Sequence, residues 1–347
     1  MLAPQMNRNE RIDAYLRQNL KNSTQRMQRE FAFFCANLHN FLPQIPVYEY
    51  VTLFNRLQAN RMLADLDIEH ASIIQVHGWD ETYVAKLVQR PGIICTFHTG
   101  SYRFLSLLLS KARIPISLVV AGDALKQEQH IFENRFAPAA YKLGIRPNVD
   151  FINATLPNSL IRMTRAAKQG RCLLVYVDGN TGAGTSDGKQ TNLLALPFCA
   201  QQVRVRKGTP LLAYRLGLPL YPISGTRGFI NMGTEGSHRL FFKQHQPILP
   251  SPEENEHTYV ARATQRLYRI LQEVASTSPY EWEGWLNVHS NLVLSPAATD
   301  ASSLEINECI PFHWGKYAFL LHLPTYTSYQ ISETKYTHIW RHLDNKS

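Results

Sequence analysis

The side chain in this sequence best suited to moving a proton is His98, at the end of the apolar run in "GIICTFHTGSYRF" (92–104). Imidazole titrates near neutral pH, so a histidine in a cleft can take the proton of an attacking hydroxyl or amine. A carboxylate beside the ring fixes its tautomer and steadies the imidazolium as it forms. Five residues on, at a place where a carboxylate would help the ring, the sequence has Arg103. Arginine is a permanent cation and lowers the pKa of a nearby histidine. Asp178, closing the run "CLLVYVD" (172–178), is the best substitute, because its strand is expected beside that of His98; Asp123 and Glu133 are weaker choices. Arg103 then serves to bind an anionic part of a substrate. Alternatively, His98 acts without an acid on an acceptor more reactive than a sugar hydroxyl, such as a weakly basic amine or hydroxylamine.

Further groups belong to this candidate constellation. Gly100 and Ser101 follow His98 at an expected helix N-terminus, where backbone N–H groups and the Ser101 hydroxyl can hold a developing oxyanion. Capping the helix is an equally good role for Ser101. Arg204 and Arg206, with Lys207, form a basic cluster that serves as a solvated face or an anion contact.

The elements that must position these residues follow from periodicity. Ile93–Phe97 is β-branched and aromatic and follows Pro91-Gly92, the composition of a buried parallel strand. Thr99–Ser101 is a turn, and Phe104–Leu109 has helical spacing. This strand–turn–helix order puts His98 at the carboxyl end of a strand, where open α/β sheets hold their sites. Further strands are expected at 73–78, 116–121, 149–153, 172–178, 219–227 and 238–245. Helices are expected at 79–90, from about Ala124, at 156–170 and at 257–276. Residues 8–67 show helical periodicity broken at Pro43 and Pro46, which suits a helical pair packed on a core or, less simply, a face that meets a membrane or partner. The expected class is α/β: a mainly parallel central sheet flanked by helices. The chain divides into an N-terminal helical segment (1–70), the α/β domain (71–295) and a small α+β appendage (296–347) in which no chemistry is evident. The loop "GNTGAGTSDGKQTN" (179–192) has the length of a functional lid and lacks the GxxxxGK[ST] spacing of a phosphate-binding loop.

Composition narrows the class further. The 347 residues carry a formal charge of +9 with 18% charged and 44% hydrophobic residues, which is globular and favours an anionic partner. The five cysteines and 13 histidines show no metal-ligand spacing, so neither metal nor cofactor is expected. No apolar stretch reaches the ~18–20 residues of a membrane span. The N-terminus lacks a secretory core, so a cytoplasmic protein is expected, with peripheral membrane contact allowed.

Taken in order, "IIQVHGWDETYVAKLVQRPGIICTFHTGSYRF", "VYVDGNTGAGTSDGKQTNLLALPFCAQQVRVRKGTPLLAYRLGLPLYPI" and "SPYEWEGWLNVHS" resemble the lysophospholipid acyltransferase-like superfamily. The branch most similar is that of the lipid A late acyltransferases and phosphatidylinositol mannoside acyltransferases, and the likeness covers roughly residues 70–292. The departure is at the H-x4-D/E signature, where Arg103 replaces the acid; Arg227, closing "PLYPISGTR" (219–227), matches a family arginine near the site, and the resemblance implies that it is a further anion-binding candidate. The resemblance implies transfer of an activated acyl group to an amine or hydroxyl with His98 as general base; the departures from the lipid A branch argue against lipid A itself, and a specialised-metabolite pathway is expected. The donor is an acyl carrier protein or CoA thioester, and the acceptor a small molecule or lipid. Two other functions fit the same residues: aminoacyl transfer from an aminoacyl-tRNA, and a catalytically silent scaffold retaining the acyl cleft.

Overall fold

The computed structural model of the chain describes residues 8–17, 20–179, 192–227, 238–293 and 304–344. The N-terminal segment forms α1 (Arg8–Leu16), α2 (Gln25–Phe41) and α3 (Tyr50–Glu69). Thr24 caps α2 by accepting the Met27 N–H at 3.3 Å, a bond of the kind worth about 1 kcal/mol. α2 buries Phe31, Phe34, Cys35, Leu38 and Phe41 at helical spacing. α3 also buries polar groups, among them Asn60 and Asp67, seven residues and two turns apart on one face. Apolar patterning alone cannot account for α3, and its polar face is taken up below.

The central sheet is built from β1 (Gln75–His77), β2 (Ile93–Thr96), β3 (Ile116–Val120), β4 (Val149–Asn153), β5 (Cys172–Tyr176) and two later strands. Between them run α4 (Glu81–Gln89), α5 (Phe104–Lys111), α6 (Gly122–Ile131), a π-helical turn at Phe132–Phe136, α7 (Ala137–Lys142) and α8 (Ser159–Lys168). A hairpin, β6 (Leu193–Phe198) and β7 (Gln201–Arg206), precedes α9 (Gly208–Leu216); then come β8 (Leu220–Arg227), β9 (Arg239–Gln244) and α10 (Glu256–Thr277). Seven strands lie in the order β1-β9-β8-β2-β5-β3-β4. Every neighbouring pair is parallel except β8 with β9. The α/β class therefore holds.

β2 lies inside the sheet and is buried along its whole length. Ile94 packs with α4, α5 and α7, whereas Ile93 and Cys95 pack with α8, α9 and α10. A strand covered on both faces has no polar alternation to show, which explains its continuous apolar run.

The β6–β7 hairpin was not anticipated from the sequence. Pro197 interrupts the apolar run, and the turn needs Cys199 at a φ of 51°. In β7, Val203 and Val205 point inward while Arg204 and Arg206 point outward. The C-terminal segment forms β10 (Cys309–Trp314), β11 (Tyr317–His322), β12 (Ser328–Ile331) and α11 (Glu333–Asp344), with an antiparallel three-stranded sheet. Ile310, Phe312 and Leu321 share one apolar cluster with Phe31 and Phe34 of α2 and with Phe198 of the hairpin. N-terminal helices, hairpin and tail thus close over one side of the α/β unit. The suggested lid loop falls on residues 180–191, and the suggested boundary near 295 on 294–303; both lie outside the described residues.

Candidate active site

Sheet register brings His98 and Asp178 together. Thr96 pairs with Tyr176 across parallel β2 and β5, and two residues further along each strand stand His98 and Asp178. His98 Nδ1 lies 3.0 Å from Asp178 Oδ1, and the His98 backbone N–H donates to both carboxylate oxygens at 3.2 and 3.0 Å. Trp282 Nε1–H donates to Oδ2 at 2.8 Å. The Asp178 side chain is 2% exposed and that of His98 29% exposed.

Burial opposes ionisation of Asp178, but the facing imidazole and these hydrogen bonds outweigh it and hold the carboxyl below its ordinary pKa. An ionised carboxylate only accepts, so in the neutral imidazole Nδ1 carries the proton and Nε2 keeps its lone pair. Burial also opposes charge on His98, but Asp178 outweighs it and raises the imidazole above its ordinary value. Tyr102 and Tyr176 flank the ring, with centroids 4.9 and 4.7 Å away.

A segment after α10 completes the setting. Gly100 N–H donates to the Glu281 carbonyl at 3.0 Å, and Glu283 N–H donates to the His98 carbonyl at 3.1 Å. This pairing swings the Trp282 indole onto Asp178 and sets Glu283 beside the base. Gly100 has a φ of 55°, and a Cβ there would come within 3.1 Å of the Gly225 carbonyl. Gly284 lies so close to the Trp282 ring that a Cβ would overlap it at 2.2 Å.

Two clefts meet at this point. One, of about 590 Å³, is lined by His98, Asp178, Arg26, Arg29, Glu283 and Trp314 among others. The other, of about 660 Å³, runs over Tyr102 and Arg103 towards Asp65 and Arg135. Arg26, Glu30, Arg61 and Glu283 line both. The sequence reading missed Trp282, Glu283 and Trp314. Trp314 lies in the 296–347 appendage, where no chemistry is evident from the sequence. The spacing of "EWEGW" contained the first two, but nothing local shows where they point.

The remaining sequence candidates lie elsewhere or are already committed. Gly100 has its N–H bonded to Glu281 and offers no oxyanion donor through it. Ser101 is 1% exposed, and its hydroxyl neither caps α5 nor meets a partner among the described residues. Arg103 forms a two-pronged pair with Glu128 (2.8 and 3.4 Å) and also reaches Asp65 (3.4 Å), so its charge is met by carboxylates and not left for an anion. Arg204 donates to the carbonyls of Leu292 and Val293, and both Arg204 and Arg206 stand on the outer face of β7, away from either cleft. Arg227 is fully buried. It pairs with Asp67, donates to Asn60 Oδ1 at 3.1 Å, and gives its backbone N–H to Glu281 at 2.9 Å, so no ligand can reach it. Asp123 and Glu133 are exposed at α6 and the π turn. Among the described residues no cluster could hold a metal ion, and no helix is long and apolar enough to cross a membrane.

No protein-family model matches the chain, and no curated protein matches it. Among solved structures it is similar to the 1-acyl-sn-glycerophosphate (LPA) acyltransferase PlsC from Thermotoga maritima, at 13% identity and a TM-score of 0.36, over 72% of this chain and 97% of that chain.

Proposed function

We propose that this protein is an acyltransferase in which His98 is the general base, oriented by Asp178. The observation that carries the reading is the imidazole held by a buried, ionised carboxylate on Nδ1 while the ring lines a cleft at the carboxyl edge of the sheet. The ordered run of acyltransferase-like sequence segments points the same way. In the reaction, Nε2 takes the proton of an acceptor hydroxyl or amine as that group attacks a thioester carbonyl. The tetrahedral adduct collapses, the C–S bond breaks, and Nε2–H returns the proton to the departing thiolate. Asp178 stabilises the imidazolium between the two transfers. A CoA or carrier-protein thioester is the proposed donor, and a specialised-metabolite pathway the proposed setting.

Thiol release from acyl-CoA and acyl carrier protein in the presence of amine and hydroxyl acceptors tests this. Transfer that disappears in His98→Ala, with the variant still folded, supports it. Transfer unchanged in that variant, or absent with every donor and acceptor, overturns it and favours the silent scaffold.

A further inference from the structure

Around the His98 cleft, two charged side chains have no hydrogen-bonded partner of opposite charge among the described residues. Glu30 serves two arginines: Arg26 Nε at 2.9 Å and Arg61 Nη1 at 3.1 Å. Arg61 Nη1 also donates to Gln58 at 3.0 Å. Glu283, with its side chain 26% exposed, accepts no hydrogen bond among the described residues: Arg61 Nε stands 3.9 Å away, and His98 and Arg103 act on the carboxylate only through space, too weakly to offset its burial, which raises its pKa. Arg29, one residue before Glu30 on α2, lines the same cleft half-buried. Its guanidinium lies 5.0 Å from the Trp314 ring centroid and has no carboxylate partner among the described residues. A half-buried carboxylate without a donor is costly in the free protein, and a ligand that supplies the donor recovers that cost.

We propose that the cleft binds a zwitterionic acceptor, with its ammonium on Glu283 and its acid group on Arg29. This rests on the acyl-transfer reading and names the acceptor class for it. The backbone bond from Glu283 to the His98 carbonyl keeps the ammonium end beside the base. The guanidinium carbon of Arg29 stands over the Trp314 ring, and its N–H groups, which meet no carboxylate among the described residues, suit a planar carboxylate. The bound ammonium loses one proton to solvent before attack. The second passes to His98 Nε2 as the C–N bond forms and leaves with the thiolate as the C–S bond breaks.

The test compares glycine, β-alanine, γ-aminobutyrate and ε-aminocaproate, each with the n-alkylamine of the same chain length, as acceptors from one acyl thioester. The wild type should favour its best amino acid over the matching amine by roughly tenfold to a hundredfold in kcat/KM, the worth of one charged hydrogen bond. Arg29→Gln should collapse that ratio through KM, and Arg29→Lys should keep part of it. Calorimetry on His98→Ala, which should bind without turnover, should detect the amino acid, and adding Glu283→Gln should abolish that binding. No preference for amino acid over amine, or binding unaffected by Glu283→Gln, overturns the inference while His98-dependent transfer stands. Glu283-dependent binding without transfer in the wild type supports the zwitterion site and overturns the enzymatic reading.

Discussion

Glu281 and Glu283 are two residues apart, and each belongs to a cluster of cation and carboxylate at the same end of the sheet. Glu281 is fully buried and hydrogen-bonds Asn60 and the Arg227 backbone, next to the sealed Arg227–Asp67 pair. Glu283 looks into the cleft shared with His98, whose partner Asp178 is buried while the imidazole itself is partly open. Both clusters take a carboxylate out of water and match it with a nitrogen cation or donor. The difference is whether one member keeps an edge towards a cavity. In the Arg227 cluster every charged group is closed off, so it can only hold α3, β8 and the segment after α10 together. In the His98 cluster Nε2 has no partner among the described residues, and chemistry becomes possible there.

The comparison is broken most directly by His98→Ala. Transfer should fall by about 10²- to 10⁴-fold, the usual worth of a general base, with the thermal midpoint near that of the wild type. An equal loss from Arg227→Met in a folded protein would show that the sealed cluster also serves catalysis. We expect Arg227→Met to act on stability instead, costing about 3–5 kcal/mol in urea unfolding by removing the buried cation that faces Asp67. Arg227→Met with Asp67→Leu should regain much of that loss.

Smaller effects sharpen the contrast through pH. The base must be neutral to act, so kcat/KM should fall as pH drops through a midpoint above the ordinary histidine value, because Asp178 raises the imidazole. Asp178→Asn removes the main cause of that rise, and the midpoint should move to lower pH, measured in the pH profile of thiol release. Glu281 titrates in the opposite setting: burial outweighs Arg227 and pushes its pKa up to about 8. A raised folded value means its contribution is fully present below the unfolded value of about 4.3 and is lost as pH rises towards 8. Unfolding free energy measured across that window should decline with a slope that Glu281→Gln removes. A slope unchanged by that substitution would place the titration on another group.

Some of this was legible in the sequence because the signals are local. The run before His98 and the run before Asp178 each read as a buried strand from adjacent residues, and the strand–turn–helix order set His98 at a strand end. The β6–β7 hairpin was not legible, since Pro197 and a positive φ at Cys199 hide it from strand patterning. The roles of the arginines were not legible either. Arg103 and Arg227 looked equally free as charges, and only their meeting with Glu128, Asp65 and Asp67 shows them to be committed.

By itself the sequence determined that a parallel α/β sheet forms and that one histidine stands at its rim, because hydrophobic periodicity acts over neighbouring residues. The tertiary structure decided which carboxylate faces that histidine, which cations are already matched, and that Glu283, Arg29 and Trp314 share its cleft. Those outcomes depend on strand register and on contacts between residues as far apart as Arg29 and Trp314. The desolvation and Coulomb energies that separate a sealed ion pair from an open one exist only once such distant groups have been packed together.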